Sequence, residues 1–150
     1  MSRGSATADF DNDGDLDIAV SNSGGPLELL ENAGSPGGWL GLTLVGRRSN
    51  RQGVGARVTL TTDAGRQVRE TRAGESYLSS CDPRVHFGLG ASTARSLEIR
   101  WPSGIVQTMP APPAGRYTRI EEPNGPSPNP PPPGEGVSWR CLSAPSPGSP

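Results

Sequence analysis

The sequence contains no lysine and few aromatic residues, namely three Trp, two Tyr and two Phe among 150 positions. All positive side-chain charge therefore comes from 14 arginines, which are scattered along the chain, and the net charge is −1. Proteins that bind nucleic acid or an anionic membrane through electrostatics normally carry clustered basic residues. The missing cluster argues against both kinds of partner.

Long apolar runs are also missing. No run approaches the roughly 18 residues that a helix needs to cross a bilayer. The first ten residues, MSRGSATADF, contain an Arg but no apolar core after it, so they do not have the pattern of a secretory signal. We therefore expect no membrane insertion by this chain.

Cysteine is scarce as well, with Cys81 and Cys141 placed 60 residues apart. This spacing supports neither a CxxC metal site nor a disulfide framework. We interpret the two residues as unrelated thiols, which leaves the redox compartment open.

Glycine and proline are abundant, and their distribution divides the chain into three parts. Ten of the 17 prolines follow residue 122, which predicts a Pro-rich disordered tail over residues 122–150. The breaker GSPGG at 34–38 separates a first unit, residues 1–34, from a second, residues 39–121.

The second unit shows short alternating runs with turn signals about every 8–12 residues, which is typical of all-β proteins. Seven strands are predicted, and helix formers are few. Four of these strands have apolar residues on one face: Leu40, Leu42 and Leu44; Ala56, Val58 and Leu60; Val85 and Phe87; Leu97, Ile99 and Trp101. The pattern predicts a small β-sandwich-like domain.

The densest chemical feature is the stretch DFDNDGDLD, residues 9–17, which we call the acid loop. It holds five of the seven aspartates: Asp9, Asp11, Asp13, Asp15 and Asp17. Alternating carboxylates can converge if the backbone curls, and Gly14 gives the freedom to do so. Asp17 can close the site from the far side, while Asp15 is placed to contribute its backbone carbonyl.

Such an all-oxygen set suits a hard cation, Ca²⁺ before Mg²⁺, and disfavours zinc because no Cys or His is near. An EF-hand is excluded, since position 12 counted from Asp9 is Val20 where a Glu is required. The following residues also alternate like a half-buried strand, with Leu16, Ile18 and Val20 on one face. A solvated acidic turn is the alternative to a metal site.

The stretch ADFDNDGDLDIAV, followed by LELLENAG, resembles one blade of the FG-GAP/VCBS-type β-propeller repeat. The resemblance implies calcium binding in a loop between two strands, with Asp9, Asp11, Asp13 and Asp17 as carboxylate ligands and Asp15 as carbonyl ligand. A single blade cannot bury its faces alone. We therefore expect this chain to be the C-terminal part of a longer propeller protein, which would also explain the missing signal.

Three later stretches, WLGLTLVGRRSNRQGVGARVTL, VRETRAGESYLSSCDPRVHFGLG and LEIRWPSGIVQTM, resemble the ASPIC/UnbV domain. This domain follows FG-GAP repeats in the cartilage acidic protein 1 family and its bacterial relatives. The resemblance covers about residues 39–109, with Cys81 where a polar residue is more usual. It implies secreted or cell-surface proteins with matrix or adhesion roles and no agreed enzymatic activity.

Residue types that hydrolases use for catalysis lie close together in one stretch. The stretch SSCDPRVH, residues 79–86, brings Ser, Cys and Asp near the only histidine, His86. The spacing fits one strand-turn-strand corner without a Gly-x-Ser-x-Gly elbow, so we expect no enzyme. Trp101 could stack on a sugar, but its shared face with Leu97 and Ile99 favours a core position.

The sequence thus predicts an all-β protein: a terminal β-propeller blade, a β-sandwich-like domain and a disordered tail. The functional hypothesis is a non-catalytic calcium-binding extracellular module for adhesion, binding or structure, with an unknown protein or glycan as partner. Two alternatives remain open. One is an accessory protein or enzyme of a biosynthetic cluster of the enediyne type, and the other is a carbohydrate-binding module.

Overall fold

The computed structural model of the chain describes residues 2–34, 37–74 and 78–125. Within these ranges every regular element is a β-strand. In chain order the strands are β1 (Ser2–Ala8), β2 (Asp17–Asn22), β3 (Glu28–Leu30), β4 (Gly38–Val45), β5 (Arg57–Thr62), β6 (Gly65–Glu70), β7 (Val85–Gly90), β8 (Ala94–Arg100), β9 (Val106–Pro110) and β10 (Tyr117–Glu121). The all-β prediction is confirmed. Within the described ranges no helix is long and apolar enough to cross a membrane.

The first unit is a three-stranded antiparallel sheet in the order β1-β2-β3. The acid loop connects β1 to β2, and Asp17 is the first residue of β2. The strand after the loop confirms the exclusion of an EF-hand, which requires a helix there.

The second unit contains the seven predicted strands in two sheets, ordered β10-β4-β7 and β6-β5-β8-β9. The apolar core lies between the sheets. Its main members are Leu40, Leu42 and Leu44 from β4, Val58 and Leu60 from β5, Val85, Phe87 and Leu89 from β7, Leu97 and Ile99 from β8, and Ile120 from β10. The predicted inward faces are therefore confirmed, and the unit is a β-sandwich. We call it the C-terminal domain.

The WPSG turn between β8 and β9 forms as its residues indicate. The N–H of Gly104 donates to the Trp101 carbonyl at 2.9 Å, and the N–H of Trp101 donates to the Ile105 carbonyl at 2.8 Å. Gly104 has a φ of +88°, a value that side-chain-bearing residues rarely adopt. The turn therefore depends on this glycine.

Trp101 belongs to the core, with 2% of its surface exposed. Its indole Nε1–H donates to Gln107 Oε1 at 3.0 Å, which satisfies the one polar group of the ring. A buried ring cannot stack on a sugar, so the carbohydrate-binding interpretation of Trp101 is wrong.

Glu122 follows β10 directly and is buried, with 1% exposure. Its Oε2 accepts hydrogen bonds from the backbone N–H groups of Arg47, Arg48 and Ser49 at 2.8–2.9 Å. Its Oε1 accepts from the hydroxyls of Ser49 at 3.0 Å and Ser103 at 2.5 Å. Glu122 therefore ties β10 to two loops of the C-terminal domain, although the sequence placed it at the start of the tail. Residues 126–150 of that tail lie outside the described residues.

The first sheet exposes apolar side chains that the alternating pattern of β2 had suggested would be half buried. Ile18 and Leu30 pair across β2 and β3, with 41% and 54% exposure. The buried residue at this end of β2 is instead Asp17, which turns into the acid loop. The strand itself is confirmed, but no layer among the described residues covers Ile18 and Leu30.

Candidate metal centre

The acid loop curls because two of its residues adopt left-handed backbone angles. Gly14 has a φ of +99°, as its sequence position suggested, and Asn12 has a φ of +64°. Asn is among the few side-chain-bearing residues that tolerate this region. Two local hydrogen bonds tighten the curl, from the N–H of Asp13 to Asp11 Oδ1 at 3.1 Å and from the N–H of Asp15 to Asp13 Oδ1 at 2.8 Å.

The curl brings Asp9, Asp11 and Asp17 together, with one carboxylate oxygen of each within 4.8 Å of the others. Asp9 and Asp17 are buried, while Asp11 is exposed. Asp13 lies outside this group, and the Asp15 side chain lies against the backbone at Gly34. Three of the five predicted residues thus converge through their carboxylates. The predicted roles of Asp13 and of the Asp15 carbonyl stay predictions.

Asp9 is the most enclosed of the three, with 1% exposure. Its Oδ2 accepts hydrogen bonds from the Tyr117 hydroxyl at 2.8 Å and from the Gly14 N–H at 3.2 Å. Its Oδ1 is buried and has no hydrogen-bond partner among the described residues. A buried polar atom without a partner is costly, and a bound water or ion is one common reason for it in native proteins.

Asp17 is fixed from two sides. Its Oδ1 accepts from the Asn32 N–H at 2.9 Å and its Oδ2 from the Phe10 N–H at 2.9 Å. These two hydrogen bonds, Asn32 first, lower the pKa of Asp17 below its ordinary value, while burial acts weakly in the opposite direction. Asp17 is therefore ionised at neutral pH, and each of its two oxygens accepts a backbone hydrogen bond.

The donor set of this group fits a hard cation. All three residues offer carboxylate oxygens, and close carboxylates repel one another unless a positive charge lies between them. Ca²⁺ accepts six to eight oxygens in irregular arrangements, whereas Mg²⁺ demands near-octahedral geometry. Asp9, Asp11 and Asp17 would hold the ion, which would supply charge neutralisation and cross-link the two ends of the loop.

Sequence reasoning missed the residues of the C-terminal domain that contact the acid loop. The Tyr117 hydroxyl reaches Asp9, and the Arg84 guanidinium reaches the Asp9 carbonyl at 2.7 Å. These partners are 108 and 75 positions away along the chain. No local spacing or periodicity signals contacts of that range.

Residues of the 79–86 stretch make structural contacts with neighbouring strands and loops. The Ser80 hydroxyl donates to the Ala73 carbonyl at 2.8 Å, and the Cys81 thiol accepts from the Thr7 N–H at 3.5 Å. Asp82 pairs with Arg84 at 2.5 Å, and the His86 ring stacks on Trp39 with centroids 5.7 Å apart. These contacts join strands and loops rather than assembling a nucleophile with a base.

Two family models match the chain. The model described as "ASPIC and UnbV" matches residues 46–127, and the model described as "FG-GAP repeat" matches residues 3–38. The FG-GAP range covers the three-stranded sheet with the acid loop, and the ASPIC and UnbV range begins after β4 and covers the other six strands of the sandwich.

Similar curated proteins carry the name Cartilage acidic protein 1. The protein from Xenopus tropicalis is 36% identical over 110 residues, which cover 70% of this chain and 17% of the relative. Those from Mus musculus and Homo sapiens are each 37% identical over 107 residues, covering 67% of this chain and 16% of the relative. The chain thus spans less than a fifth of the length of these relatives.

The "ASPIC and UnbV" model covers more than half of the 150 residues, and the quoted stretches SNRQGVGARV, HFGLG and RWPSG all lie inside the matched range. The β-sandwich that contains those stretches follows the FG-GAP sheet along the chain. This protein belongs to the ASPIC and UnbV family, with an FG-GAP repeat preceding the family domain.

Proposed function

We propose that this chain is a non-catalytic extracellular module in which calcium bound at the acid loop stabilises the FG-GAP repeat. Asp9, Asp11 and Asp17 would provide carboxylate ligands, with Asp13 and the Asp15 carbonyl as further ligands implied by the family resemblance. The ion has a structural role, since it cross-links the start of the loop to the first residue of β2.

The observation that carries this proposal is Asp9 Oδ1. This oxygen is buried and unpaired within the described chain, and the residue that carries it groups with Asp11 and Asp17. A solvated acidic turn would leave its carboxylates in water, where each oxygen finds hydrogen bonds. Burial of an unpaired carboxylate oxygen favours an ion at this position.

The apolar side chains of the first sheet support a propeller context. Ile18, Leu29 and Leu30 are each at least 41% exposed on a sheet of only three strands. A single repeat unit cannot bury its apolar faces alone and packs against neighbouring units. We infer that neighbouring FG-GAP repeats cover these residues and that the assembly serves adhesion or matrix structure. The word "cartilage" in the names of the relatives is compatible with an extracellular location.

Calcium titration by calorimetry tests the metal proposal. We expect the chain to bind one Ca²⁺ and the Asp11→Asn variant to bind it at least about tenfold more weakly, since one charged ligand is lost. The Asn side chain keeps the Oδ1 that accepts the Asp13 N–H, so the loop keeps its shape. The matched control is Asp63→Asn, whose Oδ1 likewise accepts a backbone N–H, that of Thr93.

Asp63 lies in the β5–β6 turn, outside the acidic group, so its variant should bind calcium like the unmodified chain. No binding heat in the unmodified chain, or equal affinity in Asp11→Asn, would contradict the proposal.

A further inference from the structure

The acid loop is held from outside by the C-terminal domain as well as by its own hydrogen bonds. One guanidinium nitrogen of Arg84 donates to the Asp9 carbonyl at 2.7 Å and another donates to Asn12 Oδ1 at 2.6 Å. Arg84 is itself oriented by Asp82, through a hydrogen bond from its Nε at 2.5 Å. A single arginine therefore fixes the backbone at the first carboxylate and the left-handed residue that curls the loop.

Tyr117 is the second contact, and it reaches a carboxylate directly. Its hydroxyl donates to Asp9 Oδ2 at 2.8 Å, so the opposite oxygen, Oδ1, is the one left for a cation. A phenol hydroxyl is protonated at neutral pH, so it is the donor in this hydrogen bond.

The position of the Tyr117 ring is determined by its surroundings. The ring lies over Gly41 on β4, where a Cβ would come within 2.3 Å of it. The Arg84 guanidinium lies over the ring, 4.0 Å from its centroid. The Trp39 ring packs against it in a tilted arrangement, with centroids 5.2 Å apart. The donor is therefore placed before any ion arrives.

Trp39 contributes to the same interface. A Cβ on Gly14 would lie 2.1 Å from the indole Nε1, so loop backbone and indole are in direct contact. Beside it, the Asp82 N–H donates to the Thr7 carbonyl at the end of β1, at 3.1 Å. The acid loop and β1 thus both contact the C-terminal domain.

We propose that the C-terminal domain completes the calcium site of the preceding repeat: Tyr117 and Arg84 are positioning residues for Asp9, and calcium binding and domain docking stabilise each other. This rests on the proposed calcium site. Groups that hydrogen-bond a metal ligand orient it, and their loss typically lowers metal affinity about 10–100-fold. Coupling between two equilibria is reciprocal. The factor by which domain docking raises calcium affinity is therefore also the factor by which bound calcium strengthens the docking.

The first test is Tyr117→Phe, which removes the hydroxyl and keeps the ring over Gly41. We expect calcium affinity, measured by calorimetry on the whole chain, to fall about tenfold or more. The matched control is Thr118→Val, which deletes a hydroxyl from the next residue of β10, on the opposite face of the sheet. The control should bind calcium like the unmodified chain. Affinity in Tyr117→Phe equal to that of the unmodified chain overturns the coupling and leaves the calcium site intact.

Arg84→Gln separates positioning from charge. Removing a positive charge near the site should strengthen cation binding if charge alone mattered. If Arg84 instead positions the Asp9 backbone, the variant binds calcium more weakly, which is the result we expect. Tighter or unchanged binding in Arg84→Gln overturns its positioning role.

The reciprocal effect is read from hydrogen exchange of the Asp82 amide, which bonds to Thr7 across the interface. We expect calcium to slow this exchange in the unmodified chain, and to slow it less in Tyr117→Phe. Calcium that binds tightly but leaves this amide unchanged overturns the coupling alone. An unmodified chain that binds no calcium overturns the proposed function and, with it, this inference.

Discussion

Replacement of Glu122 by Ala is expected to destabilise the C-terminal domain by about 3 kcal/mol, because it leaves several hydrogen-bond donors without their acceptor. The carboxylate accepts five hydrogen bonds from the 47–49 loop and from Ser103. Urea unfolding followed by tryptophan fluorescence, to which the buried Trp101 contributes, measures the change. The control is Glu121→Ala, whose exposed side chain pairs with Arg47 and Arg119 and should contribute little.

The Glu122 effect should also depend on pH in one direction. Burial raises the pKa of Glu122, but the hydrogen bonds from Ser103, Ser49, Arg47 and Arg48 outweigh it and lower the pKa from 4.5 to about 2. The ionised form thus stabilises the folded state, fully above pH 4.5 and progressively less as the pH falls towards 2. The stability difference between the unmodified chain and Glu122→Ala should narrow over that window. A difference that stays constant from pH 6 to pH 2.5 would contradict this role.

Gly14→Ala is expected to remove calcium binding and loosen the contact between the acid loop and the C-terminal domain. A φ of +99° is unfavourable for alanine, and the new Cβ would lie 2.1 Å from the Trp39 indole. Backbone strain and overpacking each cost about 1–3 kcal/mol. Calorimetry with Ca²⁺ and the hydrogen exchange of the Asp82 amide both report the loss.

Gly24→Ala is the matched control, since Gly24 also has a positive φ, +76°, but has no atoms within 4 Å of a built Cβ. It carries the backbone strain without the clash and lies in the β2–β3 turn. We expect it to bind calcium close to normally. Equal calcium binding in the two variants would show that the Trp39 contact is not needed for the site.

Much of the C-terminal domain could be predicted from sequence because its strands alternate strictly. Leu40 and Leu42 on β4, like Leu97 and Ile99 on β8, are fully buried where the alternation places them. The turn after β8 could be predicted for the same reason, since it depends on a few neighbouring residues and on Gly104, which has a positive φ. Strand period and turn residues act over a few positions, so a single sequence carries them.

The failures have a common physical origin in contacts between distant residues. The sequence predicts that Glu122 begins a polar tail. In the structure its carboxylate accepts hydrogen bonds from three backbone N–H groups of the 47–49 loop. Ile18 reads as an inward residue, yet the described sheet gives it no covering layer. For the site, the aspartate spacing predicted convergence, and three carboxylates do converge. The part played by Tyr117 depends on strand packing that no local pattern encodes.

The most direct test of the central claim is hydrogen exchange of the whole chain in calcium and after chelation. The claim is that an ion at Asp9, Asp11 and Asp17 holds the FG-GAP sheet. We predict slow exchange over residues 2–34 in calcium, at least tenfold faster exchange there with chelator, and unchanged protection in β5 and β8 of the sandwich. Equal exchange of residues 2–34 in both conditions, or parallel loosening of β5 and β8, would contradict it.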